Sequence, residues 1–169
     1  IPAAGVIYLD PTTGSSRPAY QQANGVSYLV IVTINASATE SVTAMKRVVV
    51  STKATKNQNP SFGTPAITMN GVDASVYTLT TSAIPINSSA TTGSSETYVV
   101  QSSDGSSETK TEKLTVTWLV STGSVRTTRN DPGVENRFFP PTPLPTVTSF
   151  IAVLRDERGG TAVVARHKP

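Results

Sequence analysis

Residues 113–120 read Lys113-Leu114-Thr115-Val116-Thr117-Trp118-Leu119-Val120. Successive side chains of a strand point to opposite faces, so Leu114, Val116, Trp118 and Val120 fall on one side, with Thr115, Thr117 and Leu119 on the other. A helix would spread the same four apolar groups around its axis. One apolar face and one largely β-branched polar face is the pattern of a half-buried strand. Trp118, with apolar neighbours on its own face, is expected in the core, where an aromatic ring removes most area from water.

The same reading extends outward in both directions. Downstream, residues 147–154 form a strongly apolar strand and residues 161–166 another. Arg155-Asp156-Glu157-Arg158-Gly159-Gly160 joins them as a hairpin, with glycines able to take positive φ. Upstream, residues 26–34 are short, β-rich and bounded by turn residues, Asn24-Gly25 among them. Residues 45–55 set Val48, Val50 and Thr52 on one face, and Arg47, Val49 and Ser51 on the other. Residues 66–69 and 72–79 flank Asn70-Gly71, a strong hairpin signal. Residues 97–102 add a short strand before the Asp104-Gly105 turn. Residues 56–65, 84–96 and 121–145, the last with five prolines, read as connections. No segment of helical length carries a 3.6-residue period. Short strands with turns between them predict an antiparallel β-sandwich of about 7–9 strands over residues 26–169. Residues 1–25, with the breaker cluster Asp10-Pro11-Thr12-Thr13-Gly14, read as an irregular N-terminal arm.

Composition narrows the function classes. Ser and Thr supply 46 of the 169 residues and Val another 20, which places many threonines on solvent-facing strand positions. With no cysteine, a disulfide scaffold, a Cys-ligated zinc module and a thiol enzyme are excluded. The single histidine, His167, has no nucleophile in a recognisable motif and is expected to be a solvated tail residue. No Gly-x-Ser-x-Gly, P-loop or His-Glu-x-x-His pattern occurs. The expectation is a non-catalytic chain without a cofactor. Asp131 and Glu135 lie on one loop, but Arg129 and Arg137 flank them, so ion pairing is preferred to a calcium site and no metal is expected. The net charge is +3, yet Lys46, Arg47, Lys53 and Lys56 run along a strand without interleaved aromatics. Nucleic acid is therefore not an expected partner.

Two candidate binding spots remain. In Phe138-Phe139-Pro140-Pro141, adjacent aromatics on a strand cannot both face inward, so one is a candidate adhesive or glycan-stacking ring. At the last hairpin, Arg155, Asp156 and Arg158 are candidates for a partner surface; in the simpler reading Asp156 accepts turn backbone hydrogen bonds and the arginines stay solvated.

The run from Leu114 to Gly123, followed by a proline-rich loop, resembles the central Trp-bearing strand of an immunoglobulin-like or PKD-like domain. The ending from Phe150 to Gly160 resembles the closing hairpin of such domains in cell-surface lipoproteins of Gram-negative bacteria. The resemblance covers the C-terminal half, and it implies that the sandwich is immunoglobulin-like. No cysteine pair flanks Trp118, so such a core would close by packing alone. The acidic motif that often precedes this strand in PKD-like domains is reduced to Ser103-Asp104-Gly105. The resemblance implies a module of the bacterial envelope or cell surface that binds a protein or glycan, or scaffolds. It also implies an N-terminal lipid anchor ahead of Ile1, with residues 1–25 as a tether. A carbohydrate-binding or adhesin module is the first alternative. A viral or phage structural subunit, whose arm docks on a neighbouring subunit, is the second; a homo-oligomer through the arm or an edge strand is a further expected partner of the envelope module.

Overall fold

A computed structural model describes residues 4–168. Two short helices, α1 (Ala4–Ile7) and α2 (Ala19–Asn24), precede the strands. These are β1 (Val26–Asn35), β2 (Ser41–Val50), β3 (Thr68–Met69), β4 (Val72–Asp73), β5 (Ile84–Asn87), β6 (Thr97–Gln101) and β7 (Ser107–Thr111). They continue with β8 (Thr115–Val120), β9 (Ser124–Val125), β10 (Arg129–Asn130), β11 (Asn136–Phe139), β12 (Thr148–Arg155) and β13 (Thr161–Lys168). The chain is all-β in class, and its sheets are antiparallel. It divides into two compact units. Among the described residues the smaller draws on residues 4–56 and 97–110, the larger on 57–96 and 111–168.

The larger unit holds a four-stranded sheet ordered β10-β8-β12-β13 and a five-stranded sheet ordered β4-β3-β5-β11-β9. The register sets Val116 opposite Leu154, Trp118 opposite Ala152 and Val120 opposite Phe150. The alternation read from residues 114–120 therefore reappears as Val116 and Trp118 fully buried with Leu119 exposed. From the other sheet Met69, Ile84, Ile86 and Phe138 enter the same core. Phe138 and Phe150 meet edge to face across it, ring centroids 4.7 Å apart at 78°. Each fully buried side chain of this size contributes about 1.5–3 kcal/mol of transfer free energy. Two polar side chains of the core are bonded: the Trp118 indole N–H donates to Asn130 Oδ1 at 2.6 Å. Asn136, also buried, accepts from the Thr127 and Arg137 N–H groups and donates to the Thr127 carbonyl.

Several strands lie in segments read as connections. Residues 84–96 contain β5, whose Ile84 and Ile86 are fully buried. Residues 121–145 contain β9, β10 and β11, and β7 follows the Asp104-Gly105 turn. Strands of two to five residues are too short to show a period. They exist because a neighbour supplies the hydrogen bonds, as β11 does by pairing with both β5 and β9. Pro85, which has no N–H, further disguises β5; its carbonyl accepts from Asn70 N–H at 2.7 Å. Asn70-Gly71 does make the tight turn, with φ of 48° and 77°.

In the smaller unit β1 and β2 form a hairpin in unbroken register from Val26↔Val50 to Asn35↔Ser41. The second strand thus begins four residues earlier and ends five residues earlier than the 45–55 span expected for it. β6 and β7 form a second two-stranded sheet. The arm is less irregular than expected. Asn24-Gly25 closes α2, with Gly25 at φ 104°, and does not form a strand turn. Asn24 fixes α2 to β6 through two bonds with Gln101, of 2.7 and 2.8 Å.

Candidate functional site

The turn between β12 and β13 is organised by Asp156. Its Oδ1 accepts the N–H groups of Arg158 at 2.9 Å and Gly160 at 2.7 Å, and its Oδ2 accepts from Asn57 Nδ2 at 3.0 Å. This is the backbone-capping role expected of a turn aspartate. A Cβ on residue 160 would collide with that carboxylate and come within 2.9 Å of the Pro60 ring. Arg158, expected to be solvated, is instead anchored. Its guanidinium donates to Glu112 Oε1 at 3.1 Å and lies 3.6 Å from Glu96 Oε2. The Glu112 side chain has no exposed surface. Burial pushes its carboxyl above the ordinary range; the Glu96 N–H bond opposes that, the Asp156 charge adds to it and Arg158 opposes it. Asp156 and Arg158 are thus committed to holding the hairpin.

Arg155 faces a different way. It donates to Thr117 Oγ1 at 3.1 Å and lines a cleft of about 350 Å³ with Lys113, Thr115, Thr117, Arg129, Asp156 and Glu157. Pairing of β10 with β8 sets Arg129 opposite Thr117, and pairing of β12 with β8 sets Arg155 opposite Thr115. Three cations, two carboxylates and two hydroxyls therefore converge beside β8, a mixed lining with one net positive charge whose arginines can fork onto a small anionic group. Lys113, two residues before Thr115, and Arg129 were missed as site residues; Arg129 reaches the cleft only because β10 pairs with β8.

Phe138 is fully buried and Phe139 is 41% exposed, the split that adjacent strand positions require. Gly123 stands against both at φ 71°; a Cβ there would lie 2.5 Å from the Phe139 carbonyl and 2.8 Å from the Phe138 ring. Neither the basic cleft nor a smaller one of about 170 Å³ at Thr68, Pro85 and Glu135 is lined by an aromatic ring. His167 sits in β13 opposite Ser149, not in a loose tail, with Nδ1 2.9 Å from Ser149 Oγ. Among the described residues no carboxylate hydrogen-bonds that imidazole. Glu135 pairs with Arg137 at 3.7 Å. Among the described residues no three His, Asp or Glu side chains converge as metal ligands. Among the described residues no helix is long and apolar enough to cross a membrane.

The β1–β2 hairpin carries nine exposed large hydrophobic side chains. Its register puts Val26, Tyr28, Val30, Val32 and Ile34 on one face with Val42, Ala44, Lys46, Val48 and Val50. Lys46 is the only charge there. The opposite face mixes Leu29, Ile31 and Met45 with Thr33, Thr43, Arg47 and Ser27. Ile34, Val42 and Met45 are 65%, 64% and 68% exposed. The sequence signal was the absence of any charge across residues 26–35; what it lacked was the partner strand that turns ten residues into a continuous face.

No family model, curated protein or solved structure matches the chain.

Proposed function

We propose that this chain is a non-catalytic binding or scaffolding module of the bacterial envelope or cell surface. In this reading its larger unit is an immunoglobulin-like β-sandwich, and its smaller unit presents the β1–β2 hairpin as an association surface. The hairpin carries the reading. An isolated two-stranded hairpin is marginal in water, and contiguous exposed apolar patches mark interaction sites. Two ten-residue strands in full register, with one face apolar except for Lys46, represent a cost in free energy that a partner offsets. The envelope placement, with an N-terminal lipid anchor, draws on the resemblance of the C-terminal half alone. The test is apolar-dye fluorescence of the full chain against a Val30→Ser/Val32→Ser/Val42→Ser variant, with sedimentation of both. Dye binding or self-association that the variant loses supports the reading. A monomer that binds no dye has its apolar face satisfied internally and overturns it.

A second reading, a glycan-binding or adhesin module, is favoured by the basic cleft. It predicts that a sulfated oligosaccharide binds the chain and that Arg129→Ala/Arg155→Ala abolishes the binding, read by calorimetry. Binding that survives the substitutions removes the cleft from consideration.

A further inference from the structure

We infer that the occupant of the hairpin is a second copy of this chain. Its β1 pairs antiparallel with β1 across a two-fold axis, giving a four-stranded sheet ordered β2-β1-β1-β2. The inference rests on the reading of the hairpin as an association surface.

The hydrogen-bond phase identifies the open edge. Ala36 N–H donates to the Glu40 carbonyl at 2.9 Å, continuing the register one step past Asn35↔Ser41. Bonded and non-bonded pairs alternate along an antiparallel ladder. The even-numbered residues of β1 therefore bond to β2, while Leu29, Ile31 and Thr33 turn their N–H and C=O groups outward. Among the described residues β1 pairs with no strand except β2.

The chemistry of the two edges differs. Natural edge strands are protected by charge, proline, bulges or short length. β1 has none of these over ten residues, and its register runs without a bulge. β2 carries Lys46 and Arg47 at its middle. Two β2 strands paired antiparallel would bring four cations together, whereas two β1 strands bring none. Edge charge therefore selects β1 for the inside and β2 for the outside of the joined sheet.

Lys46 also discriminates between occupants. It lies on the apolar face, opposite Val30, near the middle of the hairpin. A bilayer would have to take that ammonium at depth, where a lipid-facing lysine is costly. In the four-stranded sheet β2 is outermost, so the Lys46 stem covers apolar surface while its head reaches water over the rim.

Area leads to the same arrangement. Ten residues at about 3.3 Å make a hairpin face of roughly 33 by 10 Å. Stacking two single hairpins would bury about 650 Å² in total, below the roughly 1,200 Å² at which specific stable interfaces begin. Edge pairing doubles the width, and two such dimers stacked face to face would bury about 1,300 Å². The expected species are therefore a dimer and a pair of dimers. Centring the two-fold on Ile31 lets every outward-facing residue pair, with Leu29 opposite the partner's Thr33 and Val30 opposite the partner's Val32.

Because the chain has no cysteine, one introduced thiol reports the axis. Across it the two residue-31 Cα atoms would lie about 5.5 Å apart, within disulfide range. Full-length Ile31→Cys should form a disulfide dimer under mild oxidation, and Val49→Cys on β2 should not. In sedimentation velocity the unaltered chain should run as dimer or tetramer. Thr33→Pro, which deletes an outward N–H and the Thr33–Thr43 hydroxyl bond but no β1–β2 backbone bond, should give a monomer with unchanged strand circular dichroism. Should that proline unfold the hairpin, Ile31→Lys opposes like charges on the axis and should give the same monomer. A monomer that binds apolar dye overturns the second copy but leaves the association surface standing. A monomer that partitions onto phosphatidylcholine–phosphatidylglycerol vesicles overturns it in favour of lipid. Oligomers that survive both variants, or cross-linking through Val49→Cys in place of Ile31→Cys, overturn the β1 edge. A monomer that binds neither dye nor vesicles overturns this inference and the proposed function together.

Discussion

Replacing Arg158 with alanine removes the cation that faces the buried Glu112 carboxylate. Breaking a buried pair from one side typically costs about 3–5 kcal/mol, because the surviving charge is left without compensation. Two features lower that figure here. The Arg158 and Glu96 side chains keep 23% and 24% of their surface, so water reaches the far side of the cluster. Glu112 Oε2 also keeps the Glu96 N–H at 3.0 Å. The expected cost at pH 7 is about 2–3 kcal/mol. Glu112→Gln added to Arg158→Ala removes the stranded charge and should recover more than half of the loss. Urea unfolding followed by Trp118 fluorescence is a suitable assay: Trp118 is the only tryptophan and lies in the core of the larger unit, so it reports that unit. The pH dependence supplies a second constraint. Burial raises the Glu112 carboxyl above its ordinary 4.5, so the folded unit holds that proton to higher pH than the unfolded chain. The Glu112 contribution therefore falls as pH rises from about 4.5 through the raised value and is flat above it. Without Arg158 the carboxyl rises further, so the variant's deficit should shrink as pH falls through that window. A deficit under about 0.5 kcal/mol at pH 7, or one equal at pH 4 and pH 7, would refute this account of the cluster.

Three further outcomes are expected from the same unfolding assay. Phe138→Ala should cost about 3–5 kcal/mol by opening a cavity against Phe150, while Phe139→Ala should stay within about 1 kcal/mol; equal costs would contradict the face assignment of β11. Asn130→Ala strips the Trp118 indole of its acceptor, for about 1–3 kcal/mol, and should shift the native emission; an unchanged spectrum and midpoint would show that the bond contributes nothing. The Ser75 backbone N–H and then its hydroxyl hold the Asp73 carboxyl below its usual 3.8. The stability this gives is present above that value and is lost as pH falls through the lowered one. Asp73→Asn should accordingly flatten the acid limb of the stability profile, and an unaltered limb would count against the bond.

The longer strands were legible in the sequence; of the shorter ones, β3 and β4 were signalled by the Asn70-Gly71 turn and β6 by residues 97–102, and the rest were not. β8, β12 and β13 carry enough residues for alternation to show, and Trp118 could be placed in the core from its neighbours alone. β5, β9, β10 and β11 span two to four residues each; Pro85 and the proline-rich stretch after Phe139 resemble loop, and only the bonds of adjacent strands make them sheet. The site residues divide in the same way. Phe138 and Phe139 were separable by alternation, and Asp156 by turn chemistry. Arg158 was misread as solvated because Glu96 and Glu112 lie 62 and 46 residues away in the chain, and nothing local signals that they converge.

By itself, then, the sequence determined the period, the class and the exclusions: β-branched alternation, tight Asn-Gly turning, no thiol chemistry. These depend on neighbours along the chain. The tertiary structure alone decided which cations share a cleft, which acid is buried against Arg158, and that two ten-residue strands combine into one largely apolar face. Those properties depend on strand register, which couples residues far apart in sequence, and a one-residue slip would turn every one of them to the opposite side.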